Sequence, residues 1–242
     1  MDDIKVEVRR HYATIAVQPG GCGTSDCCSD GTPPPVAFAD MMGVEAEANL
    51  GLGCGMPTRF ADIRPGETVL DLGSGAGIDV FLAARAVGPT GRVIGVDMTP
   101  EMIARAWDNA IRGGYGNVDF RLGDIEALPV DDGSIDVVLS NCVINLAPDK
   151  HRVFAEIHRV LRPGGRFSIS DIVTHGHVPE SIRADMELWA GCVAGALDRD
   201  DYLRLIGQAG FVDVQVNASV EYDAVKGDGY GLSSITVAGR KV

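Results

Sequence analysis

Three cysteines stand in contexts that suggest chemistry: Cys54 in GLGCGMP, Cys142 in SNCVINL and Cys192 in WAGCVAGAL. Taken singly, each reads as a core thiol, because cysteine is among the most buried residue types. Taken together they read differently. Cys54 and Cys142 flank a glycine-rich loop, Asp71-Leu-Gly-Ser-Gly-Ala-Gly77, and Cys142 follows a strand that should end at the mouth of the same pocket. Cys192 comes later, in a cap-like segment. Glycines let a backbone turn tightly and approach a ligand with no Cβ in the way. Thiols around such a loop point to an acceptor that sulfur holds. Oxygen and nitrogen acceptors usually need a base to remove a proton. The nearest histidines, His151 and His158, lie in a helix beyond the strand end, and His158 reads as a surface or capping residue.

The elements that must position these residues follow from periodicity. Ile4, Val8, Tyr12 and Ile15 share one helical face, which predicts an amphipathic helix over 3–16. Residues 19–35, PGGCGTSDCCSDGTPPP, read as a loop carrying Cys22, Cys27 and Cys28, and a short helical region is expected over 38–49. TVLDLG, RVIGVDM, VDFRLGD, IDVVLSN and RFSISDIV predict five strands. Helices are expected after Gly77, from Thr99 with a hydroxyl cap and Pro at N1, and from Lys150 to Leu161, ending at Pro163-Gly-Gly165. Such alternation predicts an α/β fold, a doubly wound, mostly parallel sheet with helices on both faces. Beyond Asp171 the alternation breaks. One or two helices over 179–197, with Met186, Leu188, Trp189 and Val193 as apolar contacts, read as a cap. A helix capped by Asp198 or Asp200 and the strands VDVQV and LSSITVAGR complete the chain. The expected organisation is an N-terminal arm (1–35), a cofactor-binding Rossmann-type domain (36–171), and cap helices with the closing elements of the same sheet (172–242).

Composition narrows the partners. The chain has 242 residues, 45% of them apolar, and a formal net charge of −13. With no cluster of Lys or Arg, that charge argues against nucleic acid and against an anionic membrane surface. The N-terminus has no apolar signal region and no stretch is long enough to span a bilayer. A cytoplasmic address is therefore expected, where six cysteines should be mostly reduced. Nothing in the sequence demands more than a monomer.

The DLGSGAG loop, with its third glycine two residues after the second and an acidic residue before it, resembles the first motif of Rossmann-type S-adenosylmethionine methyltransferases. The resemblance implies that Gly73, Ser74, Gly75 and Gly77 approach the cofactor and that Asp71 supports its methionine amino group. Asp97 ends the second strand, where a carboxylate can accept from ribose hydroxyls. Met98 would pack on the adenine. Gly123, Asp124 and Ile125 end the third strand, where such enzymes place an acid near the adenine amine. Asn141 joins the expected cofactor residues. The segment after the fourth strand lacks the Asn/Asp-Pro-Pro-aromatic pattern of amino-group methylating enzymes.

SNCVINLAPDK, GCGMPT, DLGSGAGIDVFLAA, GVDMTPEM and ELWAGCVAGAL together resemble the arsenite S-adenosylmethionine methyltransferases, from about Val44 to Leu197 and again at SSITVAGR. The family resemblance implies that Cys142 and Cys192 bind trivalent arsenic. Cys54 supplies a third thiolate or joins a disulfide relay with an N-terminal cysteine. It further implies arsenite and methylarsenicals as substrates and an external thiol reductant, glutathione or thioredoxin. The thiol pKa values are expected to be lowered locally, since thiolate is the binding form. Cys22, Cys27 and Cys28 are open to a redox role, a weak metal site or no defined role. Two other readings stand beside this one: methylation of an organic small molecule, and a metalloid-binding protein without transfer.

Overall fold

The computed structural model describes residues 2–17, 48–176, 178–180, 192–227 and 229–242. The expected helix over 38–49, the cysteines at 22, 27 and 28, and Met186, Leu188 and Trp189 of the cap fall largely or wholly outside these residues.

Seven strands form one sheet in the order β3-β2-β1-β4-β5-β7-β6. They are β1 (Thr68–Leu72), β2 (Arg92–Asp97), β3 (Val118–Leu122), β4 (Ile135–Asn141), β5 (Leu161–Gly176), β6 (Phe211–Gly227) and β7 (Tyr230–Lys241). The first five run parallel; β7 is inserted antiparallel between β5 and β6. The helices are α1 (Asp2–Val17), α2 (Pro57–Phe60), α3 (Ile78–Val87), α4 (Pro100–Gly113), α5 (Lys150–Val160) and α6 (Arg199–Gln208). The central strands β1, β2 and β4 are buried apolar runs, as a sheet covered on both faces requires, whereas β3 and β6 at the edges are only partly buried. One core cluster joins the sheet to α5 and α6, through Phe154, Ile157, Tyr202 and Ile206. The other joins it to α3 and α4, through Phe81, Val87, Ala106 and Ala110.

The register brings the strand ends into line. Leu72 pairs with Val96 and with Ser140, Asp97 with Leu122, and Asn141 with Ser170. The chain leaves β1 toward β2 on one side while β4 lies on the other. Such a reversal of strand order opens a crevice at the carboxyl edge. The glycine loop, Asp97, Gly123 and Asn141 all emerge there.

Local details differ from expectation in two places. Thr99 occupies the N-cap of α4, with Pro100 following, but its side chain makes no cap bond; its hydroxyl and its N–H both serve Asp97. Helix α5 ends at Val160, and Pro163-Gly-Gly165 lies inside β5, which continues unbroken through Asp171 to Gly176. Eleven-residue antiparallel pairing with β7, from Arg166 to Gly176, sustains that length. Asp198 does cap α6, accepting from Asp200 N.

Arg166 fastens the segment before β1 to the sheet. Its guanidinium donates to both carboxylate oxygens of Glu67 at 2.8 Å and to the carbonyls of Ala61 and Asp62. A planar fork meeting a carboxylate twice is a strong, orienting contact. Arg166→Ala should lower unfolding stability by about 2 kcal/mol, read as a lower urea midpoint at unchanged slope; an unchanged midpoint would show the clamp to be dispensable.

Candidate active site

The glycine loop begins directly after β1. At Gly73 (φ +63°) a Cβ would stand 2.4 Å from the Val143 side chain, so only glycine permits this approach of loop to loop. At Gly75 (φ +50°) nothing lies within 4 Å of a Cβ position. That open side, with a left-handed backbone, faces the pocket. Ser74 N donates to Val96 O, and Gly75 N donates to Asp97 Oδ2 at 2.9 Å. Asn109 of α4 donates to Ala76 O. The loop is thus held from β2 and α4 before any ligand arrives.

Asp71, Asp79 and Asp97 line this pocket together and all are buried. Burial lifts Asp71 well above the usual carboxylate range, with Asp79 and Asp97 adding like charge. Burial lifts Asp79 to about 6, against the bond it receives from Asn141. Asp97 is also raised by burial, moderated by donors from Thr99 and Gly75. Low dielectric and mutual repulsion disfavour the anions, so the pocket is built to receive positive charge. Asp79 was not among the expected site residues. It sits in the apolar run IDVFLAA, and a carboxylate in the first turn of a helix that follows a glycine loop is the available signal.

The remaining expected residues are here too. Met98, Gly123 and Ile125 line the pocket, and Gly123 N donates to Asp97 O. Asp124 accepts from Glu126 N through Oδ1 and pairs with Lys5 Nζ at 2.6 Å through Oδ2; Lys5 also reaches Glu126 at 2.7 Å. Helix α1 is thereby drawn across the pocket, with Val8 and Tyr12 in its lining. Arg105 of α4 bonds Ala16 O and holds the far end of α1.

The three cysteines converge in one buried apolar cluster with Val8, Leu146, Ile172 and Leu232. Cys54 is joined to Cys142 by a disulfide. This departs from the expectation of mostly reduced cysteines, and the partner of Cys54 is Cys142. Cys192 is free and buried, its Sγ donating to Cys142 O at 3.0 Å. Cys142 (φ +57°) and Cys192 (φ +65°) both adopt left-handed backbone conformations. Non-glycine residues do so at a cost, and such positions cluster at functional sites. Among the described residues no group of three His, Cys, Asp or Glu side chains is arranged to hold a metal ion; two of the three sulfurs are spent on each other.

Behind Cys192 lies a buried polar cluster that the sequence did not announce. Tyr12 hydrogen-bonds Cys192. Tyr202 donates to Asp171 Oδ2, and Lys150 Nζ donates to the carbonyls of Asn145 and Ala147. Burial pushes Asp171 to about 7, opposed by Lys150. The Cys192 thiol is pushed far up, first by burial and then by Asp171, with Lys150 and Tyr12 acting in the other direction. The expected lowering of the thiol pKa is therefore not met at Cys192, because desolvation outweighs one lysine and one hydroxyl. Lys150 opens α5, the end where the helix dipole disfavours a cation; that misplacement was the readable clue. His158 packs its ring on Phe211, away from this site.

The fold and the pocket define a methyltransferase domain, and a family model of that description matches residues 63–210. The arsenite methyltransferase of Halobacterium salinarum is 46% identical over 99% of this chain and 67% of its own length. That of Aquipseudomonas alcaligenes is 38% identical over 85% of this chain and 61% of its own. The crystal structure of an arsenic(III) S-adenosylmethionine methyltransferase from Chlamydomonas reinhardtii superposes with a TM-score of 0.71 at 40% identity, covering 78% of this chain and 68% of that one. The chain belongs to the arsenite methyltransferase family, and it spans 61–68% of the length of these three relatives. No helix among the described residues is long and apolar enough to cross a membrane.

The thiol arrangement has a direct chemical test. Protein denatured without reductant and alkylated should give peptides with Cys54 joined to Cys142 and Cys192 modified. Modification of Cys54 and Cys142 under those conditions would contradict the pairing; after reduction all three should be modified.

Proposed function

We propose that the chain transfers the methyl group of S-adenosylmethionine to trivalent arsenic held by Cys54, Cys142 and Cys192. The observation that carries this reading is the convergence of those three residues at the edge of a pocket lined by Asp71, Asp79, Asp97 and the glycine loop. S-adenosylmethionine bound in that pocket supplies an electrophilic methyl group on a sulfonium centre. Asp71 and Asp79 suit its ammonium end, Asp97 its ribose hydroxyls, and the open side of Gly75 gives room for close approach. Met98 and Ile125 suit the adenine faces, and Lys5 draws α1 over the bound molecule.

Arsenic(III) is soft and thiophilic, so sulfur outcompetes oxygen ligands. A thiol displacing hydroxide from arsenous acid forms an As–S bond and releases water, with no net proton change. A protonated Cys192 is therefore compatible with capture. Arsenic bound by three sulfurs keeps a lone pair, and transfer then depends on positioning more than on acid–base help. Methylation through that lone pair raises the formal oxidation state of arsenic by two. Oxidation of two thiols to a disulfide returns those electrons, and Cys54–Cys142 is the product such a step would leave. An external thiol, glutathione or thioredoxin, would reopen it by exchange. Arsenite and methylarsenicals are the substrates in this reading, acting on a monomer in the cytoplasm.

Turnover with S-adenosylmethionine, arsenite and glutathione should yield methylated arsenic from the parent chain, resolved by chromatography with element-specific detection. Cys142→Ser and Cys192→Ser should each lower the rate by at least about 100-fold. Undiminished turnover in both would turn the search to other ligands, and no methylated arsenic from the parent would remove the reading.

The carboxylates give a second check. With Asp79 near 6, the empty pocket holds a proton around that pH. An ammonium group favours the ionised form, so binding releases protons, and affinity should rise as pH rises from about 5 to about 7. Calorimetry of S-adenosylhomocysteine binding near pH 6 should give enthalpies that depend on buffer ionisation, with the dependence altered in Asp79→Asn. A buffer-independent parent would contradict the assignment.

A further inference from the structure

Asn141 ends β4 and uses its whole hydrogen-bonding capacity. Its Oδ1 accepts from Cys54 N at 3.1 Å and Gly55 N at 3.3 Å. Its Nδ2 donates to Gly55 O at 3.0 Å and to Asp79 Oδ2 at 3.0 Å. A carboxamide offers two donors and two acceptor sites, and all four are taken. Turning the amide over would set its oxygen against a carboxylate and a carbonyl, so its orientation is fixed. The loop around Cys54 is shaped to reach it. A Cβ at Gly53 would fall 2.7 Å from Asn141 Nδ2, and one at Gly55 would fall 2.4 Å from Ser170 Oγ. The glycines either side of Cys54 thus permit close approach, Gly53 to Asn141 and Gly55 to Ser170.

We infer that Asn141 is a positioning residue that couples the two halves of the site: it ties Asp79 of the cofactor pocket to the backbone of the Cys54 loop, so that filling either half favours filling the other. The inference rests on the proposed function. Hydrogen bonds to an ionised acceptor are stronger than those to a neutral one. A cation beside Asp79 fixes the carboxylate as the acceptor of the Nδ2 proton, which sets the amide, and the amide sets the peptide on both sides of Cys54. The residue that follows Asn141, just beyond β4, is Cys142, so one side chain links Asp79 to the Cys54 loop beside the Cys142 position. Coupling of this kind is reciprocal: each ligand raises the affinity of the other by the same factor.

The test measures that factor. Arsenite binding to the reduced protein is titrated calorimetrically with and without saturating S-adenosylhomocysteine. The parent should bind arsenite at least about fivefold more tightly when the nucleotide is present. Asn141→Asp keeps acceptors for Cys54 N and Gly55 N but loses both donors, to Asp79 and to Gly55 O. Its factor should fall to near one, whatever the change in its arsenite affinity without nucleotide. Asp79→Asn probes the same link from the other partner and should also bring the factor toward one; it covers the case in which Asn141→Asp fails to fold. A residue with a merely structural role would weaken both bindings and leave their ratio alone. A parent that methylates arsenite but shows no coupling, or coupling unchanged in the variants, overturns this inference and leaves the functional reading standing. A parent that binds neither ligand overturns both.

Discussion

The parallel pairing of β1 with β4 sets the geometry on which the site depends. It places Leu72 beside Ser140, so the next residues of the two strands, Gly73 and Asn141, leave the sheet edge side by side. One strand feeds the glycine loop and the other feeds Asn141 and Cys142. A shift of one residue would turn every side chain of β4 to the other face. The buried runs of both strands oppose such a slip, since Val69, Leu70, Val137, Val138 and Leu139 are all enclosed by the two cores. Packing therefore fixes the spacing between carboxylates and sulfur with a stiffness that loops alone do not provide.

From that edge outward the structure is increasingly polar and local. The glycine loop is held by Val96 O, Asp97 and Asn109, and Cys54 is drawn in by Asn141 and by Ser234, which donates to its carbonyl at 2.6 Å. Helix α1 closes the arrangement through contacts to both regions: Lys5 on the strand-end acids and Tyr12 on Cys192. Parts far apart in sequence thereby share one small volume.

The centre of the sheet was legible from sequence because β1, β2 and β4 are apolar runs bounded by turn residues, and the strand-end residues Asp97 and Asn141 inherit their positions from it; the full length of β6, well beyond VDVQV, was not. The disulfide was not legible. Cys54 and Cys142 are 88 residues apart, and nothing local signals which of six cysteines meet. Asp171, Lys150 and Tyr202 escaped notice for a related reason: each is an ordinary residue in its own element, and only three-dimensional packing brings them behind Cys192. The opposite direction of the Cys192 shift follows from the same fact. Burial is a property of the assembled fold and is not written in the residues that neighbour a cysteine in sequence.

The left-handed backbones of Cys142 and Cys192 bear on any attempt to make this protein more robust. A side chain in that region costs roughly 1–2 kcal/mol that glycine does not incur. Backbone strain alone would therefore favour glycine at Cys192, whereas at Cys142 glycine would also delete the disulfide to Cys54. Residues kept where they burden the fold are the usual signature of a trade between stability and activity. Thermostabilising designs on this scaffold need these two positions held constant, and gains should be sought in the outer helices and the β6–β7 hairpin.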